Sequence, residues 1–180
     1  MLNKSKRNNI LKVTLTAMLI AMAFVLPFVT MQIESIGDML CPMHIPVIIC
    51  GFVCGGPWGL VAGLVAPLLR SLILGMPVLY PTGIAMMFEL ATYGFLSGFL
   101  YKVFPRKKPY IYTSLVLAMV AGRFVWGFAR LALFGFDVES FGLEAFWAGA
   151  VVNAIPGIIV QLVLIPVVVM AVEKIFKLKK

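Results

Sequence analysis

Titratable chemistry is scarce in this chain. Its 180 residues hold one histidine, three cysteines and seven acidic residues. Catalysis of hydrolysis or group transfer needs a nucleophile beside a base, or a metal on several ligands. A single histidine leaves few such combinations, so no catalytic residue is assigned and an enzyme is not expected. The chain has no G-x-x-x-x-G-K-[ST] loop, so it lacks that means of binding and hydrolysing ATP. Cys50 and Cys54 are spaced to share a helix face, but only His44 could join them and Cys41 around a metal. The thiols are therefore read as buried and inert, with no disulfide, metal or cofactor. No basic stretch is long enough to track a nucleic-acid backbone, which excludes nucleic acid as a partner.

What the chain has in quantity is apolar sequence. Hydrophobic residues make up 62% and charged residues only 12%. A soluble domain of this size could not bury that much apolar surface, so the composition implies a polytopic membrane protein. Small residues at Ala21 and Ala23 follow a basic N-terminus in the manner of a signal peptide, yet the apolar run continues to about residue 31 and suits a membrane span. Further spans are expected at about 44–55, 58–74, 82–104, 110–134 and 144–176, after a first at about 9–31. The break between the second and third is Gly55-Gly56-Pro57, which interrupts a helix. Topology supports that division. Lys4, Lys6, Arg7 and Lys12 precede or open the first span, Arg106, Lys107 and Lys108 form one loop, and Lys174, Lys177, Lys179 and Lys180 close the chain. Six spans put all three groups on the cytoplasmic side, whereas five would put the middle group outside. The expected fold is all-α, one six-helix membrane domain over residues 1–180 with both termini cytoplasmic, lodged in a cell membrane.

Four charged residues interrupt the apolar runs: Arg70, Glu89, Arg123 and Arg130. A charge at mid-bilayer costs roughly 2.5–3.5 kcal/mol on insertion scales, so such residues face a cavity, a partner or a substrate. By helix rise, all four lie in the outer half or near the midplane, as does Asn153 in the sixth span. Arg123 and Arg130 are seven apart and nearly eclipsed, with Trp126 on the same side, and Glu89 and Tyr93 are four apart on one face. A guanidinium offers a planar fork for a carboxylate or phosphate, and Trp126, Tyr80 and Tyr93 could cover the apolar body of a ligand. His44, at the start of the second span, is a further candidate. Three of the four charges also have a structural reading: Glu89 could neutralise one arginine, and Arg70 or Arg130 could reach the headgroups, whereas Arg123 lies too deep to do so easily. Three cations against one anion favour a small organic anion as ligand. Ala17 and Ala21, four apart in the first span, let another helix approach closely, inside the fold or on a separate membrane subunit.

With this size and topology, the Ala17 and Ala21 spacing, and the stretch Met43-His44-Ile45-Pro46-Val47 through Gly55-Gly56-Pro57-Trp58-Gly59, the chain resembles the substrate-binding S component of an energy-coupling factor (ECF) vitamin transporter. The passage from the second to the third helix is similar to that of riboflavin-type members, where a Pro and a Gly-Pro turn recur at like spacing, within the riboflavin/pantothenate-type superfamily. The resemblance implies high-affinity binding of a vitamin near the outer face, in a pocket of the later helices capped by the outer loops at 32–42, 75–81 and 135–143. It also implies docking through Ala17 and Ala21 on a membrane coupling subunit, with two cytoplasmic ATPase subunits driving release. Among anionic vitamins, pantothenate is the expected ligand, with folate, biotin and nicotinate as other acids and riboflavin as an uncharged candidate. The competing expectation is a stand-alone proton-coupled transporter or channel for a small organic anion, with Glu89 as proton carrier. No inverted repeat is visible to support it.

Overall fold

The computed structural model describes residues 4–29, 41–105, 108–134 and 155–176. These residues form six α-helices and no strand. The helices are α1 (Lys4–Val29), α2 (His44–Cys54), α3 (Gly56–Leu74), α4 (Ile84–Val103), α5 (Lys108–Leu133) and α6 (Ile155–Phe176). A π-type turn, Leu79–Gly83, leads into α4, with Tyr80 in extended backbone inside it. All but α2 are long and apolar enough to cross a membrane. The chain is an all-α polytopic membrane protein.

At about 1.5 Å per residue, the 11 residues of α2 reach about 16 Å, half of a hydrocarbon core. A helix that short is tolerated because protein encloses it. It packs against α1, α3, α4 and α6, and Pro46, Val47, Ile48, Ile49, Cys50, Gly51 and Phe52 are all buried. A helix apolar all round is one that expects no polar surface on any side. Its ends must satisfy their backbone groups without lipid or water. The His44 amide donates to the Cys41 carbonyl, and the Gly55 amide to Gly51, both at 3.0 Å. Gly55 has φ +101°, a conformation that an L side chain rarely takes, and Trp58 and Gly59 then donate to its carbonyl. The break seen in sequence is thus a tight reversal held by its own hydrogen bonds.

Side-chain pairings give the helix directions. Gly59 lies on Gly94 and Gly63 on Leu90 and Ala91, so α3 and α4 are antiparallel. His44 meets Glu89 while Ser97 donates to the Ile48 carbonyl, so α2 runs parallel to α4. Arg123 meets Glu89 and Arg130 meets Thr82, so α5 is antiparallel to α4. Tyr101, late in α4, donates to Glu173, late in α6. Thr16 meets Cys50, while Arg70 of α3 reaches Phe24. The first turns of α1 and α5 and the last turns of α4 and α6 therefore share one end, which carries Lys6, Arg7, Lys12, Lys102, Lys108 and Lys174. Arg70, Glu89, Arg123 and Arg130 belong to the other half.

The central element is α4. It packs against α2, α3 and α5, and Glu89, Leu90, Ala91, Tyr93, Gly94 and Ser97 are all buried in it, whereas α1 stands at the periphery. Glycine allows that enclosure. A Cβ on Gly59 would meet the backbone of Gly94, and one on Gly94 would meet the Gly59 carbonyl. Contact this close needs small residues on both helices, here Gly59 of α3 on Gly94 of α4, with Gly63 against the backbone of Leu90 and Ala91 and Gly98 against that of Gly51, Gly55 and Gly56. Leu72, Phe124 and Phe128 stand outward, each about two-thirds exposed, as lipid-facing residues do.

Candidate functional site

Glu89 is the hub of a buried polar cluster. It projects from α4 one turn from Tyr93, which donates from Oη to Glu89 Oε1 at 2.9 Å. From α5, Arg123 Nη1 reaches the same oxygen at 3.0 Å. From the start of α2, His44 Nε2 stands 3.6 Å from it. Glu89 and Tyr93 are each 1% exposed and His44 is 3% exposed. A carboxylate in such surroundings is tolerable only when paired and hydrogen-bonded, and Arg123 supplies the balancing charge. The pair is neutral overall.

Local packing fixes this geometry. The Tyr93 ring occupies the place where a Cβ on Gly122 would sit, so the residue before Arg123 must be glycine for the two helices to meet there. The His44 ring leans on Tyr93 with centroids 5.3 Å apart. Arg123 Nη2 points to Cys41 Sγ at 3.7 Å, a weak acceptor. Buried Arg123 Nε and His44 Nδ1 have no hydrogen-bond partner among the described residues.

Arg130 makes a second layer, two helical turns along α5. It donates from Nη1 to Thr82 Oγ1 at 3.3 Å. Its guanidinium stands 5.4 Å from the Trp126 ring centroid and 5.6 Å from that of Phe134, within cation–π range. Tyr80 donates its hydroxyl to the Leu133 carbonyl, tying the turn before α4 to the end of α5. Tyr80 itself is exposed.

Arg70 points elsewhere. Buried between α3 and α1, it donates from Nη1 to the Phe24 carbonyl at 2.9 Å and lies 5.5 Å from the Phe28 ring centroid. Pro27 sits inside α1, and a proline ring crowds the carbonyls of the preceding turn. Arg70 caps that disturbed turn. Ala17 and Ala21 are both exposed, on the side of α1 that faces away from the bundle, alongside Val13, Met18 and Met22. Asn153 and the stretches 30–40 and 135–154 lie outside the described residues.

The structure thus brings together Glu89, Tyr93, Arg123 and His44, and places Arg130, Trp126 and Tyr80 in a layer beyond them. It does not bring Arg70 to either group. Sequence reasoning weighed Cys41 only as a metal ligand and did not single out Thr82 or Gly122. For Gly122 a signal existed, a small residue directly beside an intramembrane arginine. For Thr82 the signal was its place at the start of a span, two residues after Tyr80. Gln161 of α6 is 2% exposed, a buried amide on a helix otherwise apolar at that level. Among the described residues no group of three His, Cys, Asp or Glu side chains could hold a metal ion.

The family model for the ECF transporter substrate-specific component matches residues 11–169. The chain belongs to this family. It is a substrate-binding subunit of an ECF transporter and a multi-pass membrane protein. No curated protein and no solved structure matches it. The ATP-hydrolysing role lies with partner subunits of such a transporter.

Proposed function

We propose that this S component captures a small anionic vitamin from the outer side of a bacterial plasma membrane, pantothenate first among the candidates. The observation that carries the reading is the two-layer arrangement of Glu89, Arg123, His44 and Tyr93 under Arg130, Trp126 and Tyr80. Both layers lie in the half of the bundle away from the lysine-rich end. The positive-inside rule puts that lysine-rich end in the cytoplasm, so the layered half faces outward, where a scavenged solute arrives. Asn153 is assigned to the same site on its sequence position. Arg70 is assigned to holding α1 on α3, because its guanidinium already serves a backbone carbonyl.

Delivery requires partners. The exposed Ala17 and Ala21 give α1 a flat stripe on which a membrane coupling subunit can seat closely, and two cytoplasmic ATPase subunits would drive release. The test of the ligand reading is to purify the chain in detergent, identify co-purifying compounds by mass spectrometry, and titrate pantothenate by calorimetry. Tight binding near one per chain is expected. A well-folded protein that binds no vitamin would contradict it.

A further inference from the structure

Gln161 is a buried polar residue of α6, 2% exposed, and its amide makes no side-chain hydrogen bond among the described residues. Two observations place it. Ile158 and Ile165, one turn to either side on the same face, pack into the core that holds Tyr93, and α6 lies against α2 and α5. Gln161 therefore faces the interior of the bundle. Its level follows from the bond between Tyr101 and Glu173, at 2.8 Å, which sets the register of α6 beside α4. Gln161 lies twelve residues before Glu173, and Glu89 lies twelve residues before Tyr101. The two helices run the same way, so Gln161 stands at the level of Glu89, and hence of Arg123 and His44. The polar layer thus has a member on each of four helices.

That layer is under-satisfied. Both ring nitrogens of His44 and Nε of Arg123 are buried with no hydrogen-bond partner among the described residues, and Gln161 adds an amide in the same condition. Unpaired buried polar groups are unfavourable, and each one in a native structure calls for a reason. Arg123 keeps 16% of its side chain accessible, which leaves a bound molecule a way to the layer. Glu89 and Arg123 already cancel in charge, and a carboxylate brought beside Glu89 would meet a like charge. A neutral imidazole offers one donor and one acceptor, and a carboxamide offers both as well. The partner that completes these groups is uncharged and carries donors and acceptors side by side.

Resting on the vitamin-binding reading above, we propose that Gln161 is a ligand-binding residue. With His44 and Arg123 it holds an uncharged donor–acceptor edge of the ligand: an amide, urea, imide or lactam. The acid group of the ligand, where it has one, lies outside this layer. Pantothenate has a hydroxyl beside an amide, biotin a cyclic urea, folate a pterin lactam and riboflavin an imide. Nicotinate has only a carboxylate and an acceptor nitrogen, and does not fit.

The test is calorimetry and thermal melting on the full chain in detergent, with these five vitamins as probes. One of the four that fit should bind near one per chain. Gln161→Leu should weaken its binding about tenfold or more, the worth of a hydrogen bond in a dry site. The same change should leave the melting temperature of the ligand-free protein unchanged or raised, because it removes an amide that has no partner there. An amide with a structural role would do the opposite. Unchanged affinity in Gln161→Leu would overturn the proposal, as would a lowered ligand-free melting temperature or a failure of that variant to fold. Tight binding of nicotinate would overturn it too, and all of these results leave the vitamin-binding function standing. Binding of none of the five by the unmodified chain would refute the function and the proposal together.

Discussion

At the residue scale, Glu89 and Arg123 form a buried ion pair whose two halves depend on each other. Removing one partner of such a pair leaves an uncompensated charge and costs about 3–5 kcal/mol, whereas replacing both by apolar groups is often close to neutral. Glu89→Ala and Arg123→Ala should therefore each lower thermal stability in detergent strongly. The double variant Glu89→Leu/Arg123→Leu should recover most of that loss yet bind no ligand. Additive losses in the double variant would show that the two residues do not act as a pair. Gly122→Ala should also disturb the site, because its methyl would enter the space of the Tyr93 ring. Overpacking of this kind costs about 1–3 kcal/mol, and ligand affinity should fall with it. Much of this layer was legible in the sequence. Charges inside apolar runs marked Glu89, Arg123 and Arg130, and the four-residue spacing paired Glu89 with Tyr93. The cross-helix partners were not legible, because spacing within one helix says nothing about which side chain of another helix it meets. Arg70 shows the limit most clearly. Its partner is a backbone carbonyl beside Pro27, and backbone acceptors leave no mark in a residue pattern.

At the element scale, α3 and α4 approach through glycine and α1 stands at the edge. Gly94→Val should separate α3 from α4 and destabilise the bundle by a few kcal/mol or prevent its accumulation, as expected for overpacking against backbone. Expression and melting temperature measure it, and a wild-type melting temperature would refute the seam. Bulky residues at Ala17 or Ala21 should act differently. Both positions are exposed, so Ala17→Trp and Ala21→Trp should leave folding and vitamin binding intact and abolish uptake. Loss of binding as well would place these residues inside the fold. The reversal at Gly55 was visible beforehand because Gly-Gly-Pro cannot continue a helix. The start of α1 at Lys4, some five residues before the expected span, was not, since a helix extends past the apolar segment wherever lysine and arginine can hold it in water. The four-residue spacings of Gly59 with Gly63 and of Gly94 with Gly98 are visible in the sequence, but a spacing within one helix does not say which helix it meets.

At the scale of the whole molecule, one end of the bundle carries the lysines and the other half carries the polar layers. On the proposed function, that polarity separates the cytoplasmic face from the site that takes substrate. It was foreshadowed by charge segregation along the chain, although the enclosure of α2 by four other helices had only its all-round apolarity as a sign. The most direct test of the central assignment is uptake of labelled pantothenate into proteoliposomes, with this chain alone and with a coupling subunit and ATPase pair. Uptake is expected only with the partners and internal-side ATP hydrolysis, and not from a proton gradient acting on the chain alone. Uptake by the isolated chain under a proton gradient would contradict the account and make Glu89 a proton carrier.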